Sequence, residues 1–322
     1  MSASERAPVR ALTLDHLVIA VRDLGAASTS YQRLLGRAPS WRGRHPTYGT
    51  ANVLFRLNNC YIELLAPVAA GGAEPALSAA EGPWRRALNE RLERTGEGLY
   101  AIALGTDDID ATVAGTRERG LDVDGPAEGE GVDELRPSAG LGTGSARRQW
   151  RNARIAPAST RGVRAFFIEH RSPPEALPVA PPLTEDGAAV EGVDHTVIAS
   201  SDLAGSLALW HEALGIELRL SVDRPGGRTL CFLRFADGSG GYGSILELAG
   251  EAEPAQRGDR DLLWGVSYRV GNVERAVARL RAGGVTVSDP RAGNAPGTIV
   301  ADLKPGFSHD VRTLIIERGG RS

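Results

Sequence analysis

The sequence predicts an α+β protein of two tandem domains, each built from two βαβββ units. Three observations carry this. A segment near the start repeats at a constant offset, a strand–helix–strands pattern recurs four times, and a proline-rich stretch separates the halves. The length of 322 residues agrees, since domains run to about 100–200 residues.

The repeat sets the frame. Residues 14–36 read LDHLVIAVRDLGAASTSYQRLLG and residues 193–215 read VDHTVIASSDLAGSLALWHEALG. Without gaps, Asp15, His16, Val18, Ile19, Ala20, Asp23, Leu24, Leu35 and Gly36 recur identically. Apolar periodicity alone would not reproduce Asp-His and the later Asp-Leu, so the chain contains a duplication. Residues 12–66 and 191–250 should superpose, with His16 on His195 and Glu63 on Glu247.

Each copy follows the same local physics. Leu14–Val21 is short and rich in Val and Ile, which predicts a buried strand. Asp23 is placed to cap a helix whose apolar positions Leu24, Ala27, Tyr31 and Leu34 recur at helical spacing, and Gly36 stops it. In the second copy Asp202, Leu203, Leu207, Trp210, Leu214 and Gly215 take these places. Strands follow at Ala51–Leu57 and Cys60–Leu65 around an Asn58-Asn59 turn, and at Arg228–Phe235 and Ser244–Leu248.

A fainter half-repeat follows each copy. Residues 99–120 give a strand, an acidic cap at Asp107 or Asp108, a helix and a glycine; residues 262–284 do the same with Asn272 as cap. Each leads to a strand ending in glutamate, at Glu169 and at Glu317. The domains are expected at 11–171 and 191–319, joined by a proline-rich linker at 172–190. Residues 69–98 read as an insertion holding a helix near Pro83–Arg94.

Composition excludes several classes. Apolar residues at 42% and charged residues at 24% are ordinary for a globular protein and exclude a disordered chain. A net charge of −3 argues against a dedicated nucleic-acid binder. No apolar run reaches a membrane span, and Asp15 and His16 break the first apolar stretch, so neither membrane nor signal segment is expected. Cys60 and Cys231 read as free thiols, and a cytoplasmic monomer or homodimer is expected.

The motif LDHLVIAVRDL, then GRHPTYGTANVLFRL, then YIELLAP, within four βαβββ units, resembles the vicinal-oxygen-chelate superfamily and its glyoxalase-like subgroup. That superfamily includes glyoxalase I, extradiol dioxygenases and bleomycin- and fosfomycin-resistance proteins. The resemblance covers nearly the whole chain outside linker and insertion; it implies that the two units of each domain form a curved mixed sheet around a cleft, with a site built from the first and last strands of each unit. Carried over, it offers His16, Glu63 and Glu169 as metal ligands in the first domain, and His195, Glu247 and Glu317 in the second. Both domains depart from the pattern where a second histidine is usual, at Ala101 and near Gly265. The implied function is an enzyme dependent on a divalent metal (Fe, Mn, Zn or Mg), a lyase, isomerase or ring-cleaving dioxygenase for a small oxygenated molecule. Glu63 or Glu169 would then serve as catalytic carboxylate. The alternative is a metal-free protein that binds or sequesters a small molecule.

Other residues join these candidates. Residues 147–164 carry six arginines and Trp150, and on a strand Arg148, Trp150, Asn152 and Arg154 share one face. If that face is concave, Arg154 would grip an anionic substrate while Trp150 covers its ring; a solvated outer face is the alternative. His45 and Tyr48 have no counterpart in the second copy and are candidates to line the first site. His309 could reach a site as acid or base. Residues 238–243 match G-x-G-x-x-G but open no helix, which rejects a dinucleotide site and leaves a hairpin loop.

Overall fold

The computed structural model describes residues 10–45, 48–68, 83–134, 147–184, 186–236, 244–250, 260–304 and 306–319. The glycine-rich loop at 238–243 and the insertion's residues 69–82 lie outside them.

The first domain opens with β1 (Thr13–Ala20), α1 (Leu24–Leu35), β2 (Trp41–His45), β3 (Thr50–Arg56) and β4 (Tyr61–Pro67). Then come α2 (Pro83–Thr95), β5 (Gly98–Gly105), α3 (Ile109–Glu118), β6 (Val123–Asp133), β7 (Arg147–Ile155) and β8 (Ala165–His170). Capping follows the sequence: Asp23 accepts from the Ala26 N–H at 2.9 Å, Asp108 from Ala111 at 3.0 Å, and Gly36 ends α1 at φ 65°. Buried Ala27, Tyr31 and Leu34 are the stripe the spacing predicts.

The eight strands close into a barrel in the order β1-β4-β3-β2-β6-β7-β8-β5. Closure rests on β2 pairing with β6, where Gly43 faces Asp133 and Arg44 faces Val132. A side chain at Gly43 would place its Cβ 2.3 Å from the Val132 carbonyl oxygen, so the seam needs glycine.

The second domain comprises β9 (Val190–Ser200), α4 (Leu203–Leu207), β10 (Glu217–Arg224), β11 (Arg228–Arg234) and β12 (Ile245–Gly250). It continues with β13 (Leu262–Val270), α5 (Val273–Ala282), β14 (Arg291–Ala292), β15 (Thr298–Asp302) and β16 (Arg312–Arg318). Its eight strands form an open sheet in the order β10-β11-β12-β9-β13-β16-β15-β14. The expected uniform helix up to Leu214 is instead α4 followed by a π-helical segment, Ala208–Ala213, that buries Trp210 completely.

The duplication holds in register. Val18 pairs with Glu63 across parallel β1 and β4, and Val197 pairs with Glu247 across parallel β9 and β12. Each glutamate therefore stands beside the histidine two residues earlier on the neighbouring strand.

One buried cluster runs through both domains, from Tyr31 and Phe55 to Trp210 and Tyr268. Asn59, read as a turn residue, also locks the halves. Its Nδ2 donates to the Val193 carbonyl at 2.7 Å and to Ser244 Oγ at 2.9 Å, and its Oδ1 accepts from the Val193 N–H at 3.1 Å. The linker is packed as well, with Leu177 against Trp41, Leu54 and Tyr61.

Because the core is shared, thermal unfolding should show one transition. Asn59→Ala should lower its midpoint by a few degrees, a loss of about 1–3 kcal/mol for three hydrogen bonds at an interface. An unchanged midpoint in differential scanning calorimetry would contradict the lock.

Candidate functional site

Strand alternation gives the first barrel an interior with its own chemistry. From β1 come His16 and Val18; from β2 and β3, Trp41, His45, Thr50, Asn52 and Leu54; from β4, Tyr61 and Glu63. The other wall is Ala101 on β5, Arg148, Trp150 and Asn152 on β7, and Phe166 and Ile168 on β8, with Trp84 of α2 and Tyr48 also lining it.

A line of two hydrogen bonds and one longer ion pair leads into this cavity. His170 Nε2 lies 2.9 Å from Asp15 Oδ2, Asp15 Oδ1 lies 2.6 Å from His16 Nδ1, and His16 Nε2 lies 3.4 Å from Glu63 Oε2. Asn52 Nδ2 donates to Glu63 Oε1 at 2.8 Å and stands 3.1 Å from His45 Nε2, while His45 Nδ1 is 3.0 Å from Thr50 Oγ1. An amide N–H aimed at His45 Nε2 makes that nitrogen the acceptor, so Nδ1 carries the proton.

Burial and neighbours set the charges. Burial disfavours the His16 imidazolium, but its hydrogen bond to Asp15 and Coulomb attraction to Asp15 and Glu63 outweigh it and raise its pKa. Burial likewise opposes ionisation of Asp15 and Glu63, yet both are held below the usual carboxylate range, Asp15 by His170 and His16, and Glu63 by His16 and Asn52. His45 moves the other way, neutral through burial and the nearby Arg148 and His16 charges. The result is a carboxylate–imidazolium–carboxylate stack beside a neutral imidazole.

Arg148 is the second charged feature. It is 7% exposed and sits against two rings, its Cζ 5.6 Å from the Trp41 centroid and 5.7 Å from that of Tyr61. Among the described residues no carboxylate comes within ion-pair distance of it. The rest of the lining is aromatic: Tyr61 stacks on His16 at 4.3 Å, and Trp150 meets His45 edge-on at 5.6 Å.

Several expected residues therefore converge, namely His16, Glu63, His45, Tyr48 and Trp150, and others do not. Glu169 lies on the opposite face of β8 from Phe166 and Ile168, 3.1 Å from Arg171 and 3.7 Å from Arg151, so it cannot join His16 and Glu63. Glu317 makes the same departure, its Oε2 accepting from the Val273 N–H at 2.8 Å to cap α5. The physical reason is strand alternation: the residue after each glutamate faces inward, where His170 meets Asp15 and Arg318 meets Asp194. Arg154 lies on the concave face but beyond the cavity, its side chain 40% exposed, and Arg148 takes the buried place. His309 pairs with Glu97 at 2.6 Å, away from the cavity.

The second domain keeps a reduced version. His195 Nδ1 lies 2.8 Å from Asp194 Oδ1, but its Nε2 meets Ser267 Oγ at 2.8 Å and stands 3.6 Å from Glu247 Oε2. Burial leaves Glu247 with a raised pKa, opposite to Glu63.

The donor set does not match the metal shell that the resemblance implies. His16 and Glu63 are present, but the facing positions on β5 and β8 are Ala101 and Ile168, which offer no lone pair. Among the described residues no three His, Cys, Asp or Glu side chains stand together as a metal site.

Sequence reasoning missed Asn52, Trp41, Trp84 and the buried role of Arg148. Asn52 and Arg148 were open to it, since alternation places them on the faces of Leu54 and Trp150. Trp84 was not, because its position depends on how α2 packs.

Comparison with known proteins agrees with this architecture. A family profile described as a glyoxalase-like domain matches residues 14–190, and one described as the glyoxalase/bleomycin resistance protein/dioxygenase superfamily matches residues 194–301. Sequence comparison with curated proteins finds no match. A hypothetical protein from Staphylococcus aureus superposes with a TM-score of 0.60 at 14% identity, over 95% of this chain and 99% of that one. A triple mutant of 4-hydroxymandelate synthase from Streptomyces coelicolor gives 0.63 at 14%, over 97% and 94%. The Mn(II)-bound glyoxalase from Novosphingobium aromaticivorans gives 0.62 at 14%, over 97% and 84%. At these identities the structures establish the fold, and no helix among the described residues is long and apolar enough to cross a membrane. With the first profile spanning more than half of its residues, the chain belongs to the glyoxalase-like family and carries a second domain of the glyoxalase/bleomycin resistance protein/dioxygenase superfamily.

Proposed function

We propose that the first barrel is an acid–base site for a small, oxygenated, anionic molecule with a flat apolar body. One observation carries this reading: a guanidinium, Arg148, buried in an aromatic cavity without a carboxylate partner among the described residues. A buried guanidinium with no carboxylate in direct contact keeps donors that a ligand carboxylate or phosphate can fill through a bidentate pair. Trp41, Tyr61 and Trp150 then cover the body of the ligand.

Glu63 is the acceptor for a proton in this reading. It is ionised, its Oε1 is fixed by Asn52, and its Oε2 stands beyond ordinary hydrogen-bond length from His16, which leaves lone-pair capacity. An anion seated on Arg148 places negative charge near Glu63 and raises its proton affinity, so binding itself primes the base. The His16 imidazolium, held by Asp15, offsets charge developing on a substrate oxygen. Neutral His45 offers an acceptor for a ligand hydroxyl once Asn52 yields.

A divalent metal is the second reading, favoured by the recurrence of His16/Glu63 as His195/Glu247 in identical register. Such an ion would act as a Lewis acid, with most of its coordination positions left to ligand and water. Metal analysis of protein purified without chelators separates the two. The acid–base reading expects well under one Fe, Mn, Zn or Mg per chain and unchanged activity after chelation; one tightly held ion with activity lost on removal supports the metal.

Arg148→Met should weaken binding of a 2-oxo acid bearing an aromatic ring by more than a hundredfold by isothermal calorimetry. Its thermal midpoint should hold or rise, because an apolar side chain of similar volume replaces an unpaired buried charge. Unchanged affinity would remove the anion from the account.

Glu63→Gln should leave the affinity for that probe within a few-fold. It should slow exchange of the C–H beside the probe's carbonyl into deuterated water by about 10²–10⁴, the usual contribution of a positioned base. NMR follows the exchange, and equal rates in both proteins would exclude Glu63 as base.

A further inference from the structure

Two arginines at the barrel mouth are unused by the site described above. Arg154 on β7 has its Cζ 5.7 Å from the Trp84 ring centroid, and Arg164, just before β8, has its Cζ 5.0 Å from that of Tyr100. Both line a second cavity that meets the first at Trp84, Ala101 and Phe166, which border the two alike. Asp124, 3.1 Å from Arg154, is the carboxylate among the described residues lining it; its side chain is 71% exposed and that of Arg154 40%. An exposed pair of this kind contributes little and yields to a competing anion. Arg164 shows a ring partner and no carboxylate among the described residues. A ring contact occupies none of a guanidinium's N–H donors, so these arginines keep donors for an anion.

Arg148 and Arg154 stand six residues apart on one strand. That places their Cα atoms about 20 Å apart, with the aromatic cavity between the buried arginine and the mouth. We infer that the first barrel takes an elongated molecule with an anionic group at each end, one against Arg148 inside and a phosphate or carboxylate against Arg154 and Arg164 at the mouth. This rests on the anion-binding reading above and adds the second group and its distance from the first.

The test uses the full chain and two synthetic probes. One is an aryl 2-oxo acid; the other is the same acid carrying a phosphate on a flexible alkyl chain long enough to span the cavity. By isothermal calorimetry the phosphate-tailed probe should bind wild-type protein at least tenfold more tightly. In Arg154→Gln/Arg164→Gln the two affinities should converge within threefold, and Arg154→Lys/Arg164→Lys should keep most of the difference. Equal affinities in the wild type, or a tail advantage that survives the glutamine variant, would overturn the second anion position. If instead Arg148→Met binds the tail-less probe as the wild type does, the inner anion site fails, an outcome separate from the mouth.

Discussion

Closure of the first barrel is the constraint on which the site depends. Pairing of β2 with β6 through Gly43 surrounds the interior with strands, so charges inside meet a lower dielectric than at the surface. In that setting the Asp15–His16–Glu63 stack is held by one short hydrogen bond and one longer ion pair. Its net negative charge and the positive charge of Arg148 share one cavity without direct contact. The sheet of the second domain stays open, and its polar groups find other partners: Arg318 pairs with Asp194, and the Ser267 hydroxyl meets His195.

The two halves thus started from one pattern and diverged in use. His16/Glu63 and His195/Glu247 keep the same register, yet Ser267 opposes His195 where Ala103 opposes His16. A serine there quenches the histidine that an alanine leaves free toward Glu63. The second domain contributes through the shared core, and the Asn59 lock makes the barrel's β3–β4 turn part of the domain interface.

Much of this was legible in the sequence. Constant offset gave the duplication, caps and glycines gave most helix ends, and His16 and Glu63 stood at matched positions in both copies. Glu169 and Glu317 were misplaced because period-two alternation fixes faces only relative to one another. In β8 Phe166, Phe167 and Ile168 are all apolar, so nothing local says which face is the cavity. Arg148 and Arg154 show the complementary limit: alternation put both on one face without saying which way it turned, and depth along the barrel depends on where the neighbouring strands and α2 end. Closure itself was invisible, since it joins Gly43 to a strand far along the chain.

The central claim is that an anion completes Arg148. A crystal structure with a bromine-substituted benzoate, read by anomalous scattering, tests it most directly. The account predicts the carboxylate within about 3 Å of the Arg148 guanidinium and the ring between Trp41, Tyr61 and Trp150. A ligand seated with its carboxylate away from Arg148, or held only by the open sheet of the second domain, would contradict it.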